Sequence, residues 1–303
     1  MSRIAITGST GLIGEALIAS LRTDGHTVHR VVRDRAKAGP DDLVWDLGSR
    51  TIDAAALEGV DAVVHLAGEP IGGSRWTDET KRRIHASRAI GTTLIAETLA
   101  ALTDKPAVFV SSSAIGYYGD RGDELLTEAS GAGDDFLAGI CVAWEAAAQP
   151  AIDAGIRTVH PRTGVVIAEH GPLIEKIDLP FKLGVGGKVG SGRQYVPWIS
   201  LEDEVRALRF LIDSELSGPV NLVGPNPVTN AELTKALGEV MHRPTVFPIP
   251  AFAIRLLYGE MGETLATVSN RVIPQALLDA GFQFVHTDIR SALRAALDQP
   301  VAV

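Results

Sequence analysis

The sequence predicts an α/β fold, in which a doubly wound parallel sheet is joined to a smaller, mixed C-terminal domain. Over about the first 170 residues, short β-branched runs alternate with longer segments of helical pattern. Several strand runs are apolar throughout, as expected where helices cover both faces of a sheet. A turn rich in glycine, Gly8 to Gly14, follows the first strand run and precedes the first helical one. Together these features predict a Rossmann sheet.

The predicted elements follow one another in the order that this fold requires. Strands are predicted at residues 4–7, 27–32, 43–45, 62–66, 107–111 and 158–167, the last one interrupted near Pro161. Helices are predicted at residues 12–22, 81–102 and 136–154. We therefore place the Rossmann domain at residues 1–170.

The smaller domain is predicted at residues 171–303, where the composition changes. Residues 184–198 are too rich in glycine for a regular element and predict a mobile or tightly turning loop. A helix is predicted at 201–212, and a strand at 220–223 is expected to join the Rossmann sheet. Thr229 and Glu232 have the spacing of a capping box, which predicts a helix from there to about residue 241.

Composition and charge exclude several classes of function. The net charge of −9 argues against nucleic acid as a partner, because binding to phosphates needs clustered Lys and Arg. Cys141 is the only cysteine, so neither an intrachain disulfide nor a cysteine metal cluster is expected. No run reaches the ~18–20 apolar residues of a membrane helix, and the N-terminus lacks a signal peptide pattern. We expect a cytoplasmic monomer or homodimer that has no metal and binds no membrane.

The glycine turn has the spacing of a dinucleotide site. Gly8 makes the turn, Gly11 lets backbone N–H groups approach a pyrophosphate, and Gly14 lets the helix pack closely. A strand before the turn and a helix after it make this pattern specific. The residues expected to contact the cofactor here are Gly8, Ser9, Thr10, Gly11, Leu12, Ile13 and Gly14.

The end of the second strand indicates which dinucleotide is bound. An acidic residue there, roughly 20 residues after the glycines, favours NAD(H) because it binds the ribose hydroxyl. Arg33 stands there instead, and its guanidinium can pair with a 2′-phosphate and stack on adenine. Asp34 follows, so NAD(H) stays an alternative. We expect NADP(H) to be preferred.

Motifs along the whole chain resemble the short-chain dehydrogenase/reductase superfamily in its extended, epimerase-like branch. They are the glycine turn, Asp46-Leu47, residues 65–68, Ser111-Ser112-Ser113 and Tyr117-Tyr118-Gly119. More narrowly, the chain is similar to the bacterial and mitochondrial epimerase family proteins that carry a C-terminal domain of unknown function. The stretches that carry this closer likeness are 65–71, 75–77, 87–88, 144–145, 194–198, 271–274 and 280–282.

The resemblance implies further contacts to the cofactor, in the loops that follow the third, fourth and fifth strands. The residues concerned are Asp46, Leu47, Leu66, Ala67, Gly68 and Ser111. Arg88, on the helix after the fourth strand, is expected to meet a phosphate. The alternative for Arg88 is a solvated cation beside Arg82 and Arg83.

The catalytic pair of the superfamily is missing. In its usual chemistry a serine polarises the substrate oxygen and a tyrosine transfers the proton, while a lysine four residues later lowers the pKa of the phenol. Ser113 matches the serine. Counting back from Glu145, the tyrosine position holds Leu137 and the lysine position holds Cys141. The activity of the superfamily therefore does not carry over directly.

Other residues are candidates for the missing roles. Tyr117 and Tyr118 follow Ser113 and are the candidate acids, while Arg162 is the candidate for binding an anionic substrate group or the cofactor. The alternative for Arg162 is a charge at a strand bend. The segment 184–198 resembles the substrate loop of the family, in which Gln194 and Trp198 would orient the substrate; a hairpin without a role is the alternative.

Two functions fit these observations. One is an oxidoreductase or isomerase that depends on NADP(H) and acts on a small polar, sugar-like or acyl-modified substrate. The other is a non-catalytic sensor, whose liganded state a partner recognises. The missing tyrosine and lysine favour the sensor, whereas Ser113 and the substrate-domain motifs favour the enzyme.

Overall fold

The computed structural model describes residues 1–297 of the chain. Its strands are β1 Arg3–Thr7, β2 Thr27–Val32, β3 Leu43–Asp46, β4 Thr51–Ile52, β5 Ala62–His65, β6 Val108–Ser111, β7 Ser113–Ala114, β8 Leu125–Leu126, β9 Arg157–Thr163, β10 Val165–Ile167, β11 Tyr195–Val196, β12 Trp198–Ser200, β13 Gly218–Leu222, β14 Val228–Thr229 and β15 Arg271–Val272. Its helices are α1 Leu12–Thr23, α2 Asp78–Ala101, α3 Phe136–Ala146, α4 Gln149–Asp153, α5 Pro172–Lys182, α6 Leu201–Asp213, α7 Asn230–Met241, α8 Ala251–Thr267, α9 Gln275–Asp279 and α10 Ile289–Leu297. Over the same residues, no helix is long and apolar enough to cross a membrane.

The central sheet has the strand order of a Rossmann domain, as predicted. Its strands lie in the order β13-β9-β6-β5-β1-β2-β3-β4, and β7 also pairs with β9. Only the short β3–β4 pair among them is antiparallel. Ile4 of β1 lies opposite Val28 of β2 on one side and Ala62 of β5 on the other. The chain order reverses between β1 and β5, so a crevice opens at their carboxyl ends, where open α/β sheets bind ligands.

Apolar side chains cover both faces of this sheet. Leu17 of α1, Leu208 of α6 and Leu277 of α9 pack on one face, whereas Leu99 of α2 and Ala151 of α4 pack on the other. Successive strand residues are buried on opposite faces, which explains why the strand runs are apolar without alternation. Burying each large apolar side chain contributes roughly 1.5–3 kcal/mol, so both helix layers hold the sheet in place.

The smaller domain packs around a second core. This core lies between β10, β12, α5, α7 and α10, and its buried residues include Trp198, Leu233 and Leu293. The predicted capping box is present at α7, where the carboxylate of Glu232 accepts the N–H of Thr229 at 2.7 Å and the Thr229 hydroxyl accepts the N–H of Glu232. Between these elements, α6 packs on α1 and β13 pairs with β9. The helix predicted at 201–212 therefore packs with the large sheet and not with the second core, whereas the strand predicted at 220–223 joins that sheet as expected.

Two predicted elements are each divided in the structure. The helix predicted at 136–154 is α3 followed by α4, and Pro150 stands in the first turn of α4, because its ring cannot continue the preceding helix. The strand predicted at 158–167 breaks at Gly164, not at Pro161. A Cβ at Gly164 would lie 2.6 Å from the carbonyl oxygen of Pro197, so only glycine fits here. After Gly164 the chain leaves the central sheet, and β10 pairs with β12 instead. Pro161 lies inside β9, at the point where the neighbouring chain passes from β6 to β7. Neither of these strands pairs with Pro161, so the N–H group that proline lacks is not needed for a hydrogen bond on that side.

Candidate functional site

The turn between β1 and α1 is shaped by the absence of side chains. Gly8 has a φ of +68°, and a Cβ there would lie 2.8 Å from the carbonyl carbon of Leu66. A Cβ at Gly14 would overlap the carbonyl oxygen of Gly8. Neither position accepts another residue without a backbone shift, which agrees with the roles predicted for these glycines.

The N-terminus of α1 is open. Within residues 1–297 no side chain caps it, and the first backbone bond of the helix runs from Glu15 N–H to Gly11 O at 2.9 Å. Thr10 and Gly11 are exposed, Leu12 and Ile13 are half-buried, and Ser9 and Gly14 are buried. Free amides at the positive end of a helix bind anions, so this turn fits a pyrophosphate.

The loop after β5 is fastened to the end of β1. The hydroxyl of Thr7 accepts the N–H groups of Leu66 and Ala67, both at 3.1 Å, and lies 2.7 Å from Nδ1 of His65. Since the hydroxyl accepts twice, its own proton goes to Nδ1, and the neutral imidazole carries its proton on Nε2. Burial, and secondarily the charge of Arg88, lowers the pKa of His65 to about 3. His65 is thus a core residue that holds the loop carrying Leu66, Ala67 and Gly68 beside Gly8.

The ends of β2 and β3 carry the cation Arg33 and the carboxylates of Asp34 and Asp46, each of which accepts a hydrogen bond. Arg33 is exposed directly after β2. Asp34 accepts the N–H two residues later at 3.0 Å and so closes the turn that follows. Asp46 accepts the hydroxyl of Ser49 at 2.9 Å, which lowers its pKa, and Leu47 is half-buried against the core. Arg33 is thus an exposed cation at this place, beside two carboxylates that already accept hydrogen bonds within their own turns.

Ser111 does not present its side chain to the crevice. It ends β6, where Phe109 packs on the α2 face of the sheet, and alternation places Ser111 on that same face. The serine is 0% exposed, and its hydroxyl has no hydrogen-bond partner within residues 1–297. The contact to the nicotinamide region predicted for Ser111 would therefore have to come from its backbone.

A chain of hydrogen bonds connects Ser113 to Asn221 on β13, the strand at one edge of the sheet. The hydroxyl of Ser113 donates to Oε1 of Glu145 at 2.7 Å. Arg162 donates to both oxygens of Glu145, from Nε at 2.8 Å and from Nη2 at 2.9 Å. Nη1 of Arg162 then donates to the hydroxyl of Tyr118 at 3.0 Å, and Tyr118 donates to Oδ1 of Asn221 at 2.6 Å. Sequence reasoning missed the roles of Glu145 and Asn221, because these partners are distant along the chain.

Burial controls the charges in this network. The side chains of Arg162 and Glu145 are only 3% and 15% exposed, respectively. Burial alone would lower the pKa of Arg162, but its hydrogen bonds to Glu145 raise that pKa above the usual value. Burial raises the pKa of Tyr118, and the charge of Arg162 offsets only part of that effect. Arg162 is therefore neutralised by Glu145, and its three hydrogen bonds all go to Glu145 and Tyr118, within the network.

The two candidate acids differ in access. Tyr118 is 0% exposed and its hydroxyl both donates and accepts within the network, so it does not reach a substrate. Tyr117 is half-buried, and the carbon of the Arg162 guanidinium lies 3.4 Å from the centroid of its ring. The hydroxyl of Tyr117 has no partner in the described part of the chain. Of the two, only Tyr117 keeps the geometry of an acid.

Leu137 and Cys141 occupy α3 beside the turn of residues 115–118. A Cβ at Gly116 would lie 3.3 Å from Cβ of Leu137 and 3.8 Å from Sγ of Cys141, so α3 packs closely here. Burial, followed by the charge of Glu145, raises the pKa of Cys141 to about 12. The position at which the superfamily carries a lysine is thus neutral.

The glycine-rich segment 184–198 is held in place by hydrogen bonds. The N–H of Val189 donates to Oδ1 of Asn230 at 2.8 Å, and the N–H of Gly190 donates to the carbonyl of Ile249 at 2.8 Å. Gly184, Gly190 and Gly192 have positive φ values, as tight turns require. The segment therefore contains the tight turns that were one of the two predictions for it.

Gln194 and Trp198 differ from what the family resemblance implied. The side-chain amide of Gln194 donates to the carbonyls of Val189 and Ala266, at 3.1 and 2.9 Å, and so ties the segment to α8. Trp198 is 1% exposed and its indole N–H donates to the carbonyl of Asn226 at 3.1 Å. Trp198 is therefore a core residue of the smaller domain and not a contact to the substrate.

A cavity of about 500 Å³ lies beside this segment, between the loop that follows Tyr118 and the end of α8. Its polar lining comes from Asp120, Asp123, Ser191, Arg193, Gln194, Thr267 and Ser269. The Ser269 N–H donates to Oδ1 of Asp120 at 3.2 Å, which links the two walls. The cavity can admit a small polar molecule, and Gln194 borders it while bracing the loop.

Two family models match this chain. The one described as the NAD dependent epimerase/dehydratase family matches residues 4–135, and a domain of unknown function, DUF1731, matches residues 249–296. The chain is 46% identical over 299 residues to the epimerase family protein Mb2239 of Mycobacterium bovis, covering 98% of each. It is 33% identical over 296 residues to the human epimerase family protein SDR39U1, covering 96% of this chain and 98% of the human one.

Solved structures agree with these matches. The crystal structure of human epimerase family protein SDR39U1 (isoform 2) with NADPH has a TM-score of 0.90 at 31% identity, covering 98% of this chain and 100% of that one. A nucleoside-diphosphate sugar epimerase from Corynebacterium glutamicum has a TM-score of 0.81 at 38% identity, covering 98% of this chain and 58% of that one. The chain belongs to the epimerase family proteins, atypical short-chain dehydrogenases/reductases in which an NAD-dependent epimerase/dehydratase domain is joined to DUF1731.

Proposed function

We propose that this protein binds NADP(H) across the carboxyl ends of β1, β2 and β5, and uses it to oxidise or reduce a small polar substrate beside Ser113. The observation that carries the proposal is the open N-terminus of α1, above a turn in which Gly8 and Gly14 leave no room for a Cβ. The human relative crystallised with NADPH supports the choice of cofactor.

The residues at this end fit the parts of the dinucleotide in order. The free amides of Leu12 and Ile13 would hold the pyrophosphate. Arg33 would pair with the 2′-phosphate, whereas the carboxylate of Asp34 already accepts a backbone N–H. The loop that Thr7 fastens would line the nicotinamide side with its backbone, through Leu66, Ala67 and Gly68, while Asp46 and Leu47 would border the adenine side.

At the reaction end, the chain offers acceptors and one free phenol. The bound nicotinamide would supply hydride transfer. Because the proton of Ser113 goes to Glu145, the oxygen of Ser113 presents lone pairs and would accept a hydrogen bond from a substrate hydroxyl. The phenol of Tyr117 would exchange the proton of the substrate oxygen, on a ring stacked against Arg162.

One observation favours a second function, that of a sensor. On α3, Leu137 and Cys141 stand where the superfamily carries its tyrosine acid and the lysine that lowers the pKa of that tyrosine. Tight binding of the cofactor without turnover is therefore the alternative. Oxidation of bound NADPH by a panel of carbonyl compounds distinguishes the two functions. A cofactor that never changes redox state with any of them supports the sensor.

The proposal is tested by dissociation constants for NADPH and NADH, measured by calorimetry on the wild type and on Arg33→Ala. We expect the wild type to prefer NADPH, and we expect Arg33→Ala to weaken NADPH binding about 10- to 100-fold while leaving NADH unchanged, because one charged contact is lost. Arg290→Ala is the control, since Arg290 lies on α10 of the smaller domain and pairs there with Glu239. Equal affinity of the wild type for both nucleotides would overturn the preference, and no binding of either would overturn the proposal.

A further inference from the structure

Arg88 is a half-buried cation without an acidic partner. Its Nη1 donates only to backbone carbonyls, those of Glu69 at 2.9 Å and Ile84 at 3.2 Å. The carboxylate of Glu69 pairs instead with Arg83 at 3.4 Å. Within residues 1–297, no carboxylate forms an ion pair with Arg88. Burial lowers its pKa, with smaller opposing effects from Cys141 and Glu69. A partly desolvated cation in this state is stabilised when an anion binds to it.

The guanidinium of Arg88 lies between the loop after β5 and helix α3. A Cβ at Gly68 would come within 3.2 Å of its central carbon, and the ring of Trp144 lies 4.7 Å from that carbon. Trp144 is three residues after Cys141 on α3, so the two side chains share a face of the helix. Arg88 therefore brings a positive charge to the face of α3 that carries the neutral Cys141.

Arginine commonly binds anions through the edge of its guanidinium that carries Nε and one Nη nitrogen, and among the described residues Arg88 has this edge free. With Nη1 held by the two carbonyls, Nε and Nη2 have no partner within residues 1–297. The same two atoms of Arg162 hold both oxygens of Glu145 at the other side of α3. A planar fork of this kind matches a carboxylate or a phosphate, and the ring of Trp144 fixes the plane in which it lies.

We propose that Arg88 binds a carboxylate or phosphate group of the substrate, through Nε and Nη2. The substrate would then be an anionic small molecule, and Arg88 would supply the positive charge that Cys141 lacks. This inference rests on the proposed function, because it places the substrate beside the nicotinamide end. The phosphates of the cofactor have their own sites, at the N-terminus of α1 and at Arg33, whereas Arg88 lies beyond Gly68 towards α3.

The test is calorimetric titration of the NADP⁺-saturated protein with oxalate and, separately, with inorganic phosphate. We expect at least one of these anions to bind saturably to the wild type. Arg88→Gln should weaken that binding about 10- to 100-fold, and Arg88→Lys should weaken it by less, because lysine keeps the charge but loses the fork. Arg82→Gln, an exposed position on the same helix, is the control and should leave anion binding unchanged.

NADPH affinity, measured on every variant, separates the possible failures. The inference predicts that Arg88→Gln and Arg88→Lys keep the NADPH dissociation constant within about threefold, with unfolding temperatures that show folded protein. A large loss of NADPH affinity with unchanged anion binding would assign Arg88 to a cofactor phosphate and overturn the inference. So would a wild type that binds NADPH but neither anion, or anion binding that persists in the folded Arg88→Lys and Arg88→Gln proteins. A wild type that does not bind NADPH would overturn the proposed function instead.

Discussion

The two ends of the crevice are built by different means. At the dinucleotide end, backbone geometry makes the site, since Gly8 and Gly14 admit no Cβ and α1 is left uncapped. At the reaction end, side chains make the site, through the network of Ser113, Glu145 and Arg162. The first end keeps every feature of a dinucleotide site, whereas the second has lost the tyrosine and lysine of the superfamily. The dinucleotide end thus matches the pattern of the superfamily more closely than the reaction end does.

The largest effect is expected from breaking the network. Glu145→Ala leaves Arg162, whose side chain is 3% exposed, without its partner. We expect the free energy of unfolding, measured in urea, to fall by about 3–5 kcal/mol, because a buried charge is left uncompensated. Glu97→Ala breaks an ion pair with Arg50 in which both side chains are 54% exposed, and it should cost at most about 1 kcal/mol. Equal losses in the two variants would show that the network does not stabilise the reaction end.

A smaller loss of stability, together with a loss of binding, is expected at the dinucleotide end. Gly14→Ala forces its new Cβ against the carbonyl of Gly8, so the turn must shift. We expect a destabilisation of about 1–3 kcal/mol and at least tenfold weaker NADPH binding. Gly139→Ala is the control, since Gly139 is an exposed helical position with nothing within 4 Å of the added Cβ. That variant should be neutral or more stable by up to about 1 kcal/mol. Unchanged NADPH affinity in Gly14→Ala would contradict the backbone account of this end.

A pH effect is expected beside the network, at Glu204. It is 0% exposed, and burial, opposed by a hydrogen bond from Thr163, raises its pKa to about 8. The folded state thus keeps a proton that the unfolded state releases near its usual pKa of about 4.5. The stabilisation is complete below that value and is lost as the pH rises towards 8, by up to ~1.4 kcal/mol per pH unit.

Glu204→Gln keeps a partner for Thr163 and removes the titrating group. We expect urea unfolding from pH 5 to pH 8 to show a shallower fall of stability in this variant than in the wild type. Glu202→Gln, at an exposed position of the same helix, should keep the slope of the wild type. Identical slopes for the wild type and Glu204→Gln would show that Glu204 is ionised in the folded protein.

The same contrast explains what could be predicted from the sequence. Local rules placed the glycine turn and the capping box of Thr229 and Glu232, because each depends on neighbouring residues. The break at Gly164 was missed, since it depends on the close approach of Pro197. Trp198 was misplaced for a similar reason, because the carbonyl that its indole binds lies on another loop. The reaction end depends on contacts such as that of Tyr118 with Asn221, which are 103 residues apart.

The central claim is that a dinucleotide occupies the open N-terminus of α1. Hydrogen–deuterium exchange with and without NADPH tests it most directly, because the amides of Leu12 and Ile13 lack a partner within residues 1–297. We expect NADPH to slow exchange in the peptides that cover residues 8–15 and 64–69, and to leave the peptides of α7, in the smaller domain, unchanged. Unchanged exchange in residues 8–15 at saturating NADPH would contradict it.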